Sequence, residues 1–211
     1  MDQFELLAYK RGAKVVAGVD EAGRGPLAGP VVAAAVILPQ GYKNSDIKDS
    51  KQMTARQRDA VHDLIREHAL SVGVGVIEAA VIDRVNILRA TWMAMGDALA
   101  ALSIPPDFVL VDGNQRIPIA VSQESLVKGD RLSISIAAAS IIAKVSRDRI
   151  MEMYHRQFPC YHFSKNKGYG TAQHRSALRQ HGPCKIHRLS FHCAESGKAS
   201  LNEEFDFISH D

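Results

Sequence analysis

Residues 15–26 read VVAGVDEAGRGP, and this stretch predicts a buried strand that ends in negative charge. The apolar run over 15–19 is typical of a strand, and Asp20 and Glu21 follow it directly. Adjacent carboxylates repel each other unless a cation lies beside them, and a divalent metal ion is the simplest such cation. Because neighbouring residues of a regular strand face opposite ways, Asp20 and Glu21 can serve one site only if the strand has already ended or bent at this point.

A glycine-flanked arginine comes directly after the two acids. Gly23 and Gly25 allow the backbone to approach a ligand closely, and the guanidinium of Arg24 is suited to phosphate oxygens. A dinucleotide-binding loop is excluded, because the segment leads into Pro30 and an apolar strand instead of a helix. The turn therefore indicates a phosphate-bearing ligand next to the carboxylates.

Composition restricts the class of protein. The chain has 211 residues with 46% hydrophobic content, enough for one domain with a substantial core. A formal net charge of +3 permits a polyanionic partner without requiring one. Three cysteines favour a reducing compartment over a disulfide framework. No apolar run is long enough to span a bilayer, so we expect no membrane partner. We also expect the protein to be cytoplasmic and monomeric.

Apolar runs bounded by Gly and Pro predict strands, and Thr54 has the spacing of a capping box that begins a helix. The predicted strands span residues 15–19, 31–38, 71–77, 108–111 and 119–121. The predicted helices span residues 54–70, 87–102, 132–158 and 171–180. This order predicts an α/β fold with a mixed central sheet flanked by helices. We expect one domain over 1–192, with a small helical C-terminal part from about 159, and a poorly ordered acidic tail over 193–211.

Further carboxylates follow a second strand and a loop. Asp112 comes directly after an apolar run, and Asp130 precedes the long helix. If the two strands are parallel neighbours, Asp20 and Asp112 meet at one sheet edge. Oxygen ligands without Cys or His suit Mg²⁺ or Mn²⁺. An ordinary Asp-Gly turn at Asp112 remains the alternative.

Asp148 competes with Asp130 for the remaining ligand position. It lies about 15 residues along the predicted helix, roughly 22 Å from the helix start at 1.5 Å per residue. This distance favours Asp130 as the ligand. We expect Asp148 to pair instead with Arg147 or Arg149, or with another helix.

Basic residues provide candidate phosphate contacts. Lys51 and Lys144 are the first candidates, with solvated surface lysines as the alternative. Lys165 and Lys167 lie beside Tyr169 in a basic, aromatic loop that suits a nucleic-acid backbone. A group of cysteines and histidines near the C-terminus does not match the spacing of any standard zinc site, so we interpret its members as ordinary loop residues. They are Cys184, His187, His192 and Cys193.

Taken in order, these segments resemble bacterial ribonuclease HII, the type 2 ribonuclease H. The matching segments are GVDEAGRGP at 18–26, DSK at 49–51, VDGN at 111–114, VKGD at 127–130, AASIIAKV at 138–145, KGYGT at 167–171 and HGP at 181–183. One departure concerns Ala137, where the family usually has Ser. A hydroxyl that begins the helix or contacts a phosphate is then either missing or supplied by Ser133 or Ser135.

The resemblance implies a ribonuclease H-like fold and an endonuclease dependent on Mn²⁺ or Mg²⁺. It implies cleavage of RNA in RNA–DNA hybrids, and 5′ to single ribonucleotides in duplex DNA, with 3′-hydroxyl and 5′-phosphate ends. It implies four metal-binding carboxylates: Asp20, Glu21, Asp112 and Asp130. It also implies that Tyr169 and the turn of Gly23, Arg24 and Gly25 sense the junction between RNA and DNA. Two alternatives stay open: another carboxylate–metal nuclease, and a non-catalytic hybrid-binding protein.

Overall fold

The structure is a computed structural model, and it describes residues 1–47 and 53–191. Five strands are present: β1 (Val16–Ala22), β2 (Val31–Ile37), β3 (Ser71–Ile77), β4 (Phe108–Asp112) and β5 (Ser122–Leu126). The helices are α1 (Gln3–Lys10), α2 (Ala55–His68), α3 (Ala79–Val85), α4 (Ile87–Ala100), α5 (Ile134–Gln157), α6 (Phe163–Asn166) and α7 (Ala172–His181). Lys51, His192, Cys193 and the acidic tail lie outside the described residues.

The strands form one mixed sheet in the order β3-β2-β1-β4-β5. β1 is antiparallel to β2 and parallel to β4, and β4 is parallel to β5. This arrangement confirms the predicted mixed sheet. Within the described residues, no helix is long and apolar enough to cross a membrane.

Both faces of the sheet are buried, because the side chains of β2 alternate between two cores. Ala34 and Val36 pack with α2 and α5 on one face, while Ala33 and Ala35 pack with α4 on the other. A strand covered on both sides reads as a continuous apolar run. For this reason β2 was predictable from the sequence.

The long helix α5 lies very close to the sheet at its N-terminal end. A Cβ added to Gly18 would lie 2.1 Å from the carbonyl carbon of Ser135. The absence of a side chain at Gly18 therefore allows the short distance between β1 and α5. Ser133 caps the helix by accepting a hydrogen bond from the backbone N–H of Ile136 at 3.1 Å. Ser133 thus supplies the hydroxyl that begins the helix, and Ala137 is fully buried. A phosphate contact by Ser133 or Ser135 stays a prediction.

Two predictions about strands were wrong. The structure has no strand over 119–121; β5 begins at Ser122 and is mostly polar, as an edge strand with few neighbours can be. The Gln123 side chain anchors the preceding loop through the backbone N–H and C=O of Ile117, both at 2.9 Å. In addition, β1 does not end at Val19, because its pairing with β2 continues as far as Ala22, although its pairing with β4 stops at Val19.

We expect Gly18→Ala to destabilise the fold by about 1–3 kcal/mol or more, because the new methyl group would overlap the backbone of α5. Urea denaturation followed by circular dichroism measures the change. Gly96→Ala is the matched control. Gly96 lies inside α4 with no atom within 4 Å of an added Cβ, so alanine should stabilise by about 0.5–1 kcal/mol. Equal stabilities of the Gly18 variant and the parent protein would contradict the close approach.

Candidate active site

Asp20 and Asp112 lie at the same end of two neighbouring strands. Val19 of β1 is paired with Val111 of β4, and the strands are parallel, so the next residue along each strand is an acid. The charge on Asp112 is close enough to raise the pKa of Asp20. Two acids 92 positions apart in the chain, by their numbers, thus share one location at the sheet edge.

Asp20 is the most buried acid of β1, with 5% of its surface exposed. Burial is the main cause that raises its pKa well above the usual value, and the charges on Glu21 and Asp112 raise it further. The Ser140 side chain and the backbone N–H of Glu21, 2.7 Å from Oδ1, hydrogen-bond to the carboxyl and oppose that shift. The carboxylate is therefore oriented by two donors, yet its charge lacks full compensation.

Glu21 follows on the same strand and contacts the glycine-flanked turn. Burial is again the largest cause that raises its pKa, and the charge on Asp112 adds to it. The Arg24 guanidinium, with Nη1 3.1 Å from Oε1, opposes this shift. Arg24 is half exposed, so the same guanidinium faces both the acid and solvent.

Asp130 is connected to Asp112 through the backbone. The N–H of Gly129 donates to Oδ1 of Asp112 at 2.6 Å, in a 3₁₀ turn over Gly129–Arg131. A Cβ on Gly129 would lie 2.6 Å from Cδ1 of Ile136, so a side chain there would clash with α5. The bond holds the segment that carries Asp130 beside β4, and Asp130 itself is buried.

The donor set suits a hard divalent cation. In residues 1–47 and 53–191, no three His, Cys, Asp or Glu side chains are already grouped closely enough to hold a metal ion. The chemistry nevertheless fits Mg²⁺ or Mn²⁺, because all the candidate donors are carboxylate oxygens. Burial and, after it, two neighbouring acids raise the pKa of Asp20, and a positive charge beside it would favour the ionised form.

The structure brings the turn and Tyr169 together. A Cβ added to Gly25 would lie 3.9 Å from Cε1 of Tyr169, an ordinary van der Waals contact. Tyr169 is 46% exposed, so its ring borders the turn and remains accessible to solvent. Gly23 has φ of +95°, and a Cβ there would lie 2.0 Å from Nε of Arg147. Glycine is therefore required at this position.

The predicted partners of Asp148 were wrong. Its Oδ1 lies 2.7 Å from Nζ of Lys144, one helical turn earlier on the same face of α5. Arg147 points inward to backbone carbonyls, and Arg149 bonds to Asp59 at 3.3 Å. Lys144 is thus available to a phosphate only in competition with Asp148.

Cys184 and His187 belong to a packed cluster in the C-terminal part. Nδ1 of His187 accepts from the backbone N–H of Cys184 at 2.9 Å, and its Nε2 lies 3.0 Å from Nε2 of His174. Burial lowers the pKa of His187 to about 4. Both ring nitrogens of His187 have protein partners. Because His192 and Cys193 lie outside the described residues, the interpretation of the four as ordinary loop residues stays a prediction.

Sequence reasoning missed three residues around the site: Ser140, Arg147 and Arg188. Ser140 carries a weak signal, since it is a polar residue within the apolar run of α5. Arg147 and Arg188 carry no such signal, because the residues next to them in the sequence do not distinguish a buried guanidinium from an exposed one.

The comparisons identify the family. A family model described as Ribonuclease HII matches residues 17–194. The chain belongs to the ribonuclease HII family. It is 61% identical over 209 residues to the ribonuclease HII of Syntrophus aciditrophicus (strain SB), covering 98% of this chain and 99% of that relative. This membership confirms the resemblance and makes the chain a ribonuclease H endonuclease that acts on RNA–DNA hybrids, not a non-catalytic binding protein.

Solved structures agree on the fold of this protein. The ribonuclease H2 from Pyrococcus horikoshii OT3 is similar, with a TM-score of 0.69 at 27% identity, over 83% of this chain and 92% of that one. The Bst ribonuclease HIII, solved in complex with Mn²⁺, has a TM-score of 0.68 at 22% identity, over 88% of this chain and 70% of that one. The predicted ribonuclease H-like fold is thereby confirmed.

We expect Asp20→Asn to raise the melting temperature of the metal-free protein at pH 8. The folded-state pKa of Asp20 is raised, so its stability contribution is present below the ordinary value of 3.8 and lost as pH rises through the folded-state pKa. Relief of about 1 kcal/mol corresponds to about 2–4 °C for a domain of this size.

Calorimetry in the presence of a chelator measures the effect. The gain should shrink as the pH falls toward the ordinary pKa of aspartate. Asp97→Asn, on the exposed surface of α4, is the matched control and should leave the melting temperature within about 1 °C. A lower melting temperature for the Asp20 variant at pH 8 would show that the buried charge of Asp20 does not destabilise the metal-free fold.

Proposed function

We propose that this protein also cuts duplex DNA 5′ to a single embedded ribonucleotide, leaving a 3′-hydroxyl and a 5′-phosphate. The observation that carries the proposal is the convergence of Asp20 and Asp112 at one sheet edge, directly beside the turn that contacts Tyr169. Acids that suit a metal ion and an aromatic residue that suits a sugar are therefore adjacent.

The proposed cation site uses four carboxylates: Asp20, Glu21, Asp112 and Asp130. When bound, two Mn²⁺ or Mg²⁺ ions supply a water of lowered pKa and stabilise the charge that develops on the departing 3′-oxygen. The all-oxygen donor set and the mutual repulsion of the acids support this assignment. The Mn²⁺ complex of the structurally similar Bst ribonuclease HIII supports the choice of metal.

Residues of this chain orient those carboxylates. Ser140 and the backbone N–H of Glu21 hold Asp20, and the N–H of Gly129 holds one oxygen of Asp112. Arg24 lies 3.1 Å from Glu21 and is half exposed, so it suits contact with the phosphate that the proposed site would cut. The roles of Lys51 and Lys144 as phosphate contacts stay predictions.

Recognition of one ribonucleotide requires close contact with its 2′-hydroxyl, the group that distinguishes it from a deoxyribonucleotide. The backbone of Gly23 and Gly25 can approach a sugar without obstruction by side chains. The exposed ring of Tyr169 would pack on the next sugar, which fits best without a hydroxyl. A site that forms a hydrogen bond with a substrate hydroxyl strongly rejects an analogue that lacks this hydroxyl. Together these groups would select a ribonucleotide followed by a deoxyribonucleotide.

The test is cleavage of a duplex DNA with one internal ribonucleotide, beside an all-DNA control, with product ends identified by mass spectrometry. We expect a single cut 5′ to the ribonucleotide in Mn²⁺ or Mg²⁺, and no cut in a chelator. Asp112→Asn should reduce the rate at least 10³-fold, an estimate of about 4 kcal/mol in the barrier, with an unchanged far-UV circular dichroism spectrum.

Asp97→Asn serves again as the matched control and should retain full activity. Equal cleavage of the all-DNA duplex would favour the alternative of a less selective carboxylate–metal nuclease. Retention of activity in the Asp112 variant would remove this residue from the mechanism.

A further inference from the structure

Two arginines that the proposed chemistry does not use lie buried beneath the turn. Arg147 on α5 and Arg188 after α7 are each 1% exposed. In the part of the chain that the structure describes, neither forms an ion pair with a carboxylate, and both donate hydrogen bonds to backbone carbonyl oxygens. A buried guanidinium with five fixed donors suits an irregular loop whose carbonyls have no ladder partner.

The two guanidiniums bind almost the whole inner side of residues 23–30. Arg188 donates to four carbonyl oxygens, those of Gly23 at 2.6 Å and of Arg24, Pro26 and Gly29 at 2.9 Å each. Arg147 donates to three, those of Pro30 at 2.9 Å, Lys167 at 3.0 Å and Ala28 at 3.1 Å. Carbonyls of the turn thus point toward the protein interior.

This pattern sets the direction of the opposite backbone groups. In a trans peptide the C=O and the next N–H point in opposite directions, and the described residues contain no cis bond. Because the carbonyls of Gly23 and Arg24 point to Arg188, the N–H groups of Arg24 and Gly25 point away from it. Both of these residues are exposed, so two donors face the side where a sugar–phosphate backbone would lie.

Arg147 connects the turn to Tyr169. Its Nη1 binds the carbonyl of Lys167, two residues before the tyrosine, and its Cζ lies 5.9 Å from the centroid of the Tyr169 ring. The N–H of Leu27 donates to the carbonyl of Gly168 at 2.9 Å and joins the same two loops. The segment that contains the turn and the loop that carries Tyr169 are therefore linked both through Arg147 and through a direct backbone hydrogen bond.

Holding two guanidiniums in the interior is unfavourable in itself. Burial and the charge on Arg147 lower the pKa of Arg188 to about 9, and burial lowers the pKa of Arg147 as well. Such a cost is tolerated where a defined geometry is needed, and the geometry here is that of the turn and the ring.

We propose that Arg147 and Arg188 are positioning residues that set the preference for a single ribonucleotide, by holding the turn over residues 23–25 and the Tyr169 loop in one fixed arrangement. This inference rests on the proposed function. Neither arginine bonds to Asp20, Glu21 or Asp112 among the described contacts, so the carboxylates should hold metal ions equally well without them.

Arg188→Lys and Arg147→Lys test the proposal, because lysine keeps the positive charge but cannot form the planar fork of hydrogen bonds. For each variant, kcat/KM is measured on a duplex DNA with one ribonucleotide and on a continuous RNA–DNA hybrid. We expect the ratio of the two values to fall at least about tenfold relative to the parent protein, the effect of losing a hydrogen bond to a charged group. Mn²⁺ affinity by calorimetry should be unchanged.

Arg149→Lys is the matched control, since Arg149 is on the same helix, half exposed and bonded to Asp59; its ratio should equal that of the parent. A uniform loss on both substrates, or an unchanged ratio, would overturn the proposal and make the arginines part of the scaffold alone. Failure of both variants to fold, judged by circular dichroism, would have the same meaning. If the parent protein itself does not cut the single-ribonucleotide duplex, the proposed function fails, whatever the variants do.

Discussion

The parallel pairing of β1 with β4 is the constraint on which the rest of the structure depends. It brings Val19 beside Val111, and it thereby forces Asp20 and Asp112 to the same end of the sheet. Burial is the main cause that raises the pKa of Asp20, and the proximity of Glu21 and Asp112 raises it further. The apolar cores on both faces of the sheet supply the stabilisation that offsets this repulsion. A fold that is stable elsewhere can hold such a site until a cation neutralises it.

Two parts of the site have different kinds of support. The acids are held by regular structure: two strands, the helix α5 and a short 3₁₀ turn. The segment over residues 23–30, which contains the turn, is irregular. Its carbonyl oxygens accept hydrogen bonds from Arg147 and Arg188 instead of from a neighbouring strand. In our proposal the first part performs hydrolysis and the second selects the sugar.

Sequence reasoning predicted most elements of the fold, and its errors have physical causes. β2, β3 and β4 were found because buried strands read as apolar or alternating runs, and α2 because Thr54 forms a capping box. β5 was misplaced because an edge strand is stabilised by backbone pairing and needs few apolar residues. The expected end of β1 at Val19 was wrong because pairing with β2 continues to Ala22. That long-range contact leaves no local mark in the sequence.

The amino-acid sequence by itself determined the family, the candidate carboxylates and the glycine-flanked turn, because each is written as a short run of neighbouring residues. Only the tertiary structure decided that Asp20 and Asp112 adjoin, that Ser140 orients the first of them, and that the turn is held from below by Arg147 and Arg188. The reason is that burial and hydrogen bonding depend on which distant segments meet. The sequence alone does not distinguish a buried arginine with backbone partners from an arginine exposed to solvent.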